Sequence, residues 1–236
     1  LGDLFAQLRS PEVRRDLGAT YTPTPIVDAM LTWASERPKP ERIVDPGVGS
    51  ARFLLKAAST FPKARLYGVE IDPLAAILAR ANLAARGCAA RSEVVLRDYR
   101  EGLPKIEGRT LFIGNPPYVR HHQIEPKWKK WLTDKAASLG LEVSQLAGLH
   151  VHFFLATVLN AKPGDYGALI TAAEWLDVNY GKIVRELFLS SLGGQAVVVI
   201  EPTAAPFPDA ATTAAITCFD IDTKPAAVRL RRVKRL

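Results

Sequence analysis

The chain has 236 residues, 48% of them hydrophobic, and a formal net charge of +7. That length suits one large α/β domain, taken as residues 1–236, better than two small ones, and no apolar run reaches the ~18–20 residues of a membrane span. Cys88 and Cys218 are the only cysteines, and with four histidines lacking ligand spacing they exclude a structural zinc site and fit a reduced, cytoplasmic protein at least as well as a single disulfide.

The opening Leu1-Gly2-Asp3-Leu4 carries no basic stretch followed by an apolar one, so no signal peptide is expected. Residues 1–20 are read as a helical lead-in. Thr22 is placed as N-cap and Pro23 as first residue of a helix to Trp33, with Ile26, Val27, Met30 and Leu31 on one face. Strands follow at Arg42–Asp45, Arg65–Glu70, Glu93–Leu96 and Thr110–Ile113, with helices at Ser50–Thr60 and Pro73–Arg86 between them. Gly87 closes the second of these helices. A polar stretch runs to about Leu146. Beyond it come a helix at Leu149–Ala161, a strand at Gly167–Thr171, a helix at Tyr180–Leu192, and two apolar strands, Ala196–Ile200 and Ala214–Phe219. Strand–helix alternation predicts a doubly wound parallel sheet, and the last two strands predict an antiparallel edge hairpin.

Chemistry-bearing residues sit at the strand ends, where ligands lie in such sheets. Asp45-Pro46-Gly47-Val48-Gly49-Ser50-Ala51 follows the first strand and opens a helix. Its glycines allow close backbone approach, and Asp45 offers an acceptor for an ammonium group. Arg52 stands where a dinucleotide fingerprint needs its third glycine, which argues against NAD. Such a loop is by itself also an ordinary strand–helix turn. Glu70, followed by Ile71, ends the second strand and suits ribose hydroxyls; Asp72 reads as the next helix's N-cap. Asp98, before Tyr99, ends the third strand and is placed to accept from an adenine amino group. Three acids on successive strand ends describe a nucleoside that bears an amine.

The fourth strand ends in Asn115-Pro116-Pro117-Tyr118. An aromatic amine is a poor nucleophile because its lone pair is delocalised into the ring. Acceptors on both of its N–H bonds, the Asn115 side-chain oxygen and the Pro116 carbonyl, favour pyramidalisation. Two prolines hold them rigidly, and Tyr118 offers a flat face for a base.

This segment, with the acids and glycines before it, resembles the Asn-Pro-Pro-Tyr amino-methyltransferases. Over nearly the whole chain the sequence is most similar to the N6-adenine DNA methyltransferases of restriction–modification systems. The resemblance implies a Rossmann-like class I methyltransferase fold with a mostly parallel seven-stranded sheet. It also implies S-adenosylmethionine as cofactor, DNA as partner and extrusion of the target base. Tyr21-Thr22-Pro23 is similar to the family's N-terminal cofactor motif, and Lys162-Pro163-Gly164 to its turn after the long helix. Phe207, in the loop between the last strands, is implied to pack on the flipped base. Two departures stand out: Ala51 replaces a usual glycine, and a target-recognition domain is expected elsewhere, on a separate domain or specificity subunit. The rival readings are a protein glutamine N5-methyltransferase, an RNA base-amine methyltransferase, and a degenerate module that binds without catalysis.

Other residues are less specific. Lys127-Trp128-Lys129-Lys130-Trp131 reads as either a solvated face or a phosphate contact with stacking. The basic run Arg229–Leu236 reads as a solvated face or frayed terminus. His121 and His122 are expected as solvated loop residues, His150 and His152 as core-edge residues, and Trp175 as packing.

Overall fold

Apolar residues recur at every second position along the strands, and the two sets they form point to opposite faces of one sheet. In the computed structural model, residues 22–105, 107–204, 213–224 and 226–235 are described. The strands are β1 (Arg42–Asp45), β2 (Arg65–Glu70), β3 (Ser92–Leu96), β4 (Thr110–Gly114), β5 (Tyr166–Ala172), β6 (Gly194–Ile200), β7 (Ala214–Asp220) and β8 (Arg229–Val233). They form an eight-stranded sheet in the order β3-β2-β1-β4-β5-β7-β6-β8. Ile43, Leu66, Leu111, Ile113, Ile170 and Ile216 pack on one face, against α1 (Thr24–Ser35), α2 (Arg52–Thr60) and α3 (Pro73–Ala85). Val44, Val69, Phe112, Leu169 and Phe219 pack on the other, against α4 (Pro126–Ser138), α5 (Leu149–Asn160) and α6 (Lys182–Phe188). In α5 every residue from Leu149 to Thr157 is buried, the mark of a helix apolar nearly all round.

β1 pairs with β2 on one side and β4 on the other, all parallel. The winding reverses there, so the crevice at the carboxyl ends of β1 and β4 is the natural ligand position. The strand ends bring Asp45 and Asn115 to it.

Five expectations change. The sheet has eight strands, not seven, because Arg229–Val233 pairs parallel with β6 instead of fraying. The β6–β7 pair is antiparallel as expected, but it is not the edge: β7 inserts between β5 and β6. The polar stretch holds α4, whose Trp128, Trp131, Leu132 and Ala136 follow helical spacing. Helix α6 covers only Lys182–Phe188 of the expected Tyr180–Leu192. Finally, the N-cap of α1 is Pro23 with no side-chain cap, so Thr22 does not cap it. Both cysteines are buried free thiols. The 1–20 lead-in, Tyr21 and Phe207 lie outside the described residues.

Candidate active site

The cofactor half is built by the β1–α2 turn. Asp45 ends β1 at 1% exposure, and neither carboxylate oxygen completes a hydrogen bond among the described residues. Burial pushes its carboxyl well above the usual range; the Gly47 amide opposes the shift and the charge of Glu70 adds to it. Gly114, at the end of the neighbouring β4, has no room for a side chain: a Cβ there would overlap Asp45 Oδ1. Gly47 is less confined: a Cβ there would make ordinary contacts, 3.4 Å from Pro117 Cδ and 3.9 Å from the Asn115 carbonyl oxygen, which places the glycine turn beside the Asn-Pro-Pro segment. Pro46, next to Gly47 in the turn, is buried.

Gly49 adopts φ +51° and donates its N–H to Glu70 Oε2 at 2.9 Å. Glu70 Oε1 accepts from Ile71 N at 2.9 Å and Asp72 N at 3.0 Å. Three amides thus hold the carboxylate at the turn and partly counter burial, which still leaves its pKa raised. Ile71 is 55% exposed beside it. Asp72 caps α3 through Leu74 N at 3.0 Å, as expected. Ala51 takes the left-handed conformation at φ 68° and is fully buried. The alanine therefore keeps the backbone path a glycine would take, at a cost of about 1 kcal/mol.

The chemical half follows β4. The Asn115 side-chain amide donates to Thr22 Oγ1 at 3.0 Å. Thr22, 3% exposed, thus anchors the Asn115 side chain from the start of α1, a role its place in the sequence did not reveal. Pro116 is buried and Pro117 half-buried. Tyr118 is half-buried against the first core face, and burial drives its hydroxyl pKa upward, so the phenol stays neutral. The Val119 carbonyl accepts from Leu149 N at 2.9 Å, tying the segment to the start of α5.

Two of the expected cofactor residues are engaged by neighbours within the chain. The Tyr99 ring is 1% exposed, packs on Phe153 and shares a 3.1 Å hydrogen bond with Thr157, so only its main chain is left to a ligand. Asp98 is largely engaged already: it caps a short 3-10 turn through Arg100 N and pairs with the Arg100 guanidinium at 2.7 Å, which leaves one lone-pair site on Oδ2. Arg100 is a residue the sequence reading passed over, because a local Asp-x-Arg pair carries no periodic signal. Gly114 was also missed, although a glycine ending a strand is the usual sign of close backbone approach.

The two tryptophans of the basic α4 cluster are half-buried and already stacked, Trp128 under Arg100 and Trp131 on His152. Lys127 pairs with Glu125 and Lys130 with Asp134, so little of that cluster's charge is uncompensated. His121 is half-buried and His122 exposed, whereas His150 and His152 are buried on α5. Trp175 packs in the core against Phe154 and Phe188. Among the described residues no cluster could hold a metal ion, and no helix is long and apolar enough to cross a membrane.

The model of the N-6 DNA Methylase family matches residues 4–176. The chain belongs to this family. The Type II methyltransferase M.XamI of Xanthomonas campestris pv. amaranthicola is 56% identical over 220 residues, which are 93% of this chain and 42% of that protein. A tRNA1(Val) (adenine(37)-N6)-methyltransferase of Porphyromonas gingivalis is 33% identical over 117 residues, 47% of this chain and 46% of that protein. Among solved structures, the type I restriction-modification system methyltransferase subunit from Streptococcus thermophilus shares the fold, with a TM-score of 0.75 at 17% identity over 91% of this chain and 47% of that one. This N-6 DNA methylase chain thus spans less than half the length of each of these three proteins. Its residues fit S-adenosylmethionine: a buried carboxylate with no side-chain partner among the described residues suits the ammonium, the space over Gly49 in the glycine turn suits close approach of a ligand, and Glu70 suits the ribose.

Proposed function

We propose that this domain is the catalytic part of a DNA adenine methyltransferase and acts on the N6 amine of a base extruded from the duplex, within a restriction–modification system. The observation that carries the reading is Asn115-Pro116-Pro117-Tyr118 at the end of β4, with the Asn115 amide tied to Thr22 and its backbone against the glycine turn. S-adenosylmethionine, when bound, supplies an electrophilic methyl group. Asn115 Oδ1 and the Pro116 carbonyl accept the two N–H bonds of the target amine and direct its lone pair. The exposed part of the Tyr118 ring stacks on the base. Asp45 holds the charge of the cofactor's amino group, and Glu70 its ribose. M.XamI matches nearly all of this chain, the tRNA enzyme under half, which favours DNA over RNA. Readout of a DNA sequence needs a groove-reading element, and we assign it to a separate target-recognition domain or specificity subunit.

The test offers labelled S-adenosylmethionine with unmethylated DNA, total RNA and a release-factor protein in parallel. Each is digested and its methylated products identified. N6-methyladenine from DNA is expected, reduced at least a hundredfold by Asn115→Ala, the scale of losing one preorganised polar contact. Label confined to RNA or to a glutamine side chain overturns the reading.

A further inference from the structure

Asp98 and helix α4 lie on different parts of the chain, and one side chain joins them. Asp98 Oδ1 accepts from Arg100 N and from Arg100 Nε, both at 2.9 Å, and Oδ2 accepts from Arg100 Nη2 at 2.7 Å. A carboxylate has about four lone-pair sites, so Arg100 leaves one, on Oδ2, unused. The pair is largely withdrawn from solvent, with the Arg100 side chain 8% exposed and that of Asp98 17%. The other face of the guanidinium is also used. Its carbon lies 3.9 Å from the centre of the Trp128 ring, and Nη1 is 3.4 Å from His152 Nδ1. Trp131, one turn along α4 from Trp128, stacks on His152 with ring planes 10° apart. Burial and the neighbouring Arg100 charge push His152 down to about 3, so it stays neutral and accepts from Arg100.

We propose that Arg100 is a positioning residue for the nucleoside end of the cofactor site. It aims the remaining acceptor of Asp98 and, through Trp128, fastens that carboxylate to α4, the helix that follows the Asn-Pro-Pro-Tyr segment. The planar fork of an arginine meets three demands at once: it binds both oxygens of one carboxylate, lays a flat face on an indole, and remains charged while buried. Docking of α4 and affinity for the adenosine half of the cofactor are then coupled. The α4 tryptophans serve the cofactor pocket from inside instead of stacking on nucleic acid. The proposal rests on the cofactor half of the functional reading and not on which amine is methylated.

The experiment titrates the chain with S-adenosylhomocysteine and separately with adenosine, by calorimetry and without any methyl acceptor. Arg100→Gln is expected to weaken both by the same factor, about tenfold, the scale of a lost charge-assisted interaction. Trp128→Leu is expected to act in the same direction, and Trp128→Phe, which keeps an aromatic face, to stay within about twofold of wild type. Asp45→Asn serves as the contrast: it should weaken S-adenosylhomocysteine and leave adenosine almost unchanged. Should Arg100→Gln fail to fold, the two Trp128 variants decide. Unchanged adenosine affinity in Arg100→Gln or Trp128→Leu overturns the proposal, and so does tighter binding, which would make Arg100 a plug on Asp98. A lowered melting temperature with normal affinity of the folded protein also overturns it, by reducing the cluster to a structural one. If wild type binds neither ligand, the cofactor reading itself fails. If binding behaves as expected but no DNA is methylated, only the choice of acceptor fails.

Discussion

Asp45 shows how a binding group opposes the stability of the free protein. Its carboxylate is enclosed by the sheet, the glycine turn and Gly114, with no ion pair among the described residues. Burying a charge without a partner is costly, so its pKa rises. A raised acid pKa means that the folded state binds the proton more tightly than the unfolded chain. Its stability is then complete below the ordinary value of 3.8 and is lost as pH climbs toward the raised one. Asp45→Asn should flatten this decline. At neutral pH it should raise the melting temperature of the ligand-free chain by about 2–4 °C, for roughly 1 kcal/mol, while cofactor affinity falls. A melting temperature that drops on this substitution would show that the carboxylate is satisfied in a way the geometry does not reveal.

Helix α5 is the spine of the second face, and one of its links to the segment after β3 is a buried hydroxyl pair. Thr157 Oγ1 donates to the Phe153 carbonyl at 2.8 Å and lies 3.1 Å from the Tyr99 hydroxyl. The two halves of this pair differ in cost when removed. Tyr99→Phe takes away one group and leaves Thr157 its helical bond, a loss of about 1 kcal/mol. Thr157→Val leaves the fully buried Tyr99 hydroxyl without its partner, a loss of about 1–3 kcal/mol. Denaturant unfolding of the two variants should rank them in that order. Equal losses would mean that the Tyr99 hydroxyl finds another acceptor. On the far edge of the sheet, β8 carries Arg229, Arg231 and Arg232, charges that discourage a further strand from pairing there.

Across the whole molecule the acid limb of stability should be governed by histidines. Burial pushes His150 down to about 4 and His152 to about 3, from an ordinary 6.5. The unfolded chain binds their protons first. The stability they contribute is therefore present above about 6.5 and lost as pH falls toward 4, by roughly 3 kcal/mol for His150 alone. This slope is opposite in sign to that of Asp45, so variants are needed to separate them. His150→Phe keeps an aromatic ring against Tyr180, whose centroid is 6.4 Å away, and should flatten the loss between pH 6.5 and 4. An unaltered acid slope in this variant would assign acid sensitivity elsewhere.

Period-two apolar runs and glycine, proline and aspartate punctuation were enough to read strands β1 to β7 and helices α1, α2, α3 and α5, because those signals are local and the burial that rewards them is one-sided. The acids and the Asn-Pro-Pro-Tyr segment were legible for a similar reason: each ends a strand, and strand ends share one side of a parallel sheet. Helix α4 was legible in principle, since Trp128, Trp131 and Leu132 keep helical spacing, but the lysines between them masked it. What a strand end's side chain meets is not local. Thr22 reads as a cap and instead holds Asn115, 93 positions away. Asp98 reads as open and is gripped on both oxygens by Arg100, the Tyr99 ring reads as part of the pocket and packs in the core, and Arg229–Val233 reads as a tail and becomes a strand. Each of these depends on which residues long-range packing brings within hydrogen-bonding or van der Waals distance. A contact's energy is set by that separation and by exclusion of water, and neither is written into the spacing of residues along a chain.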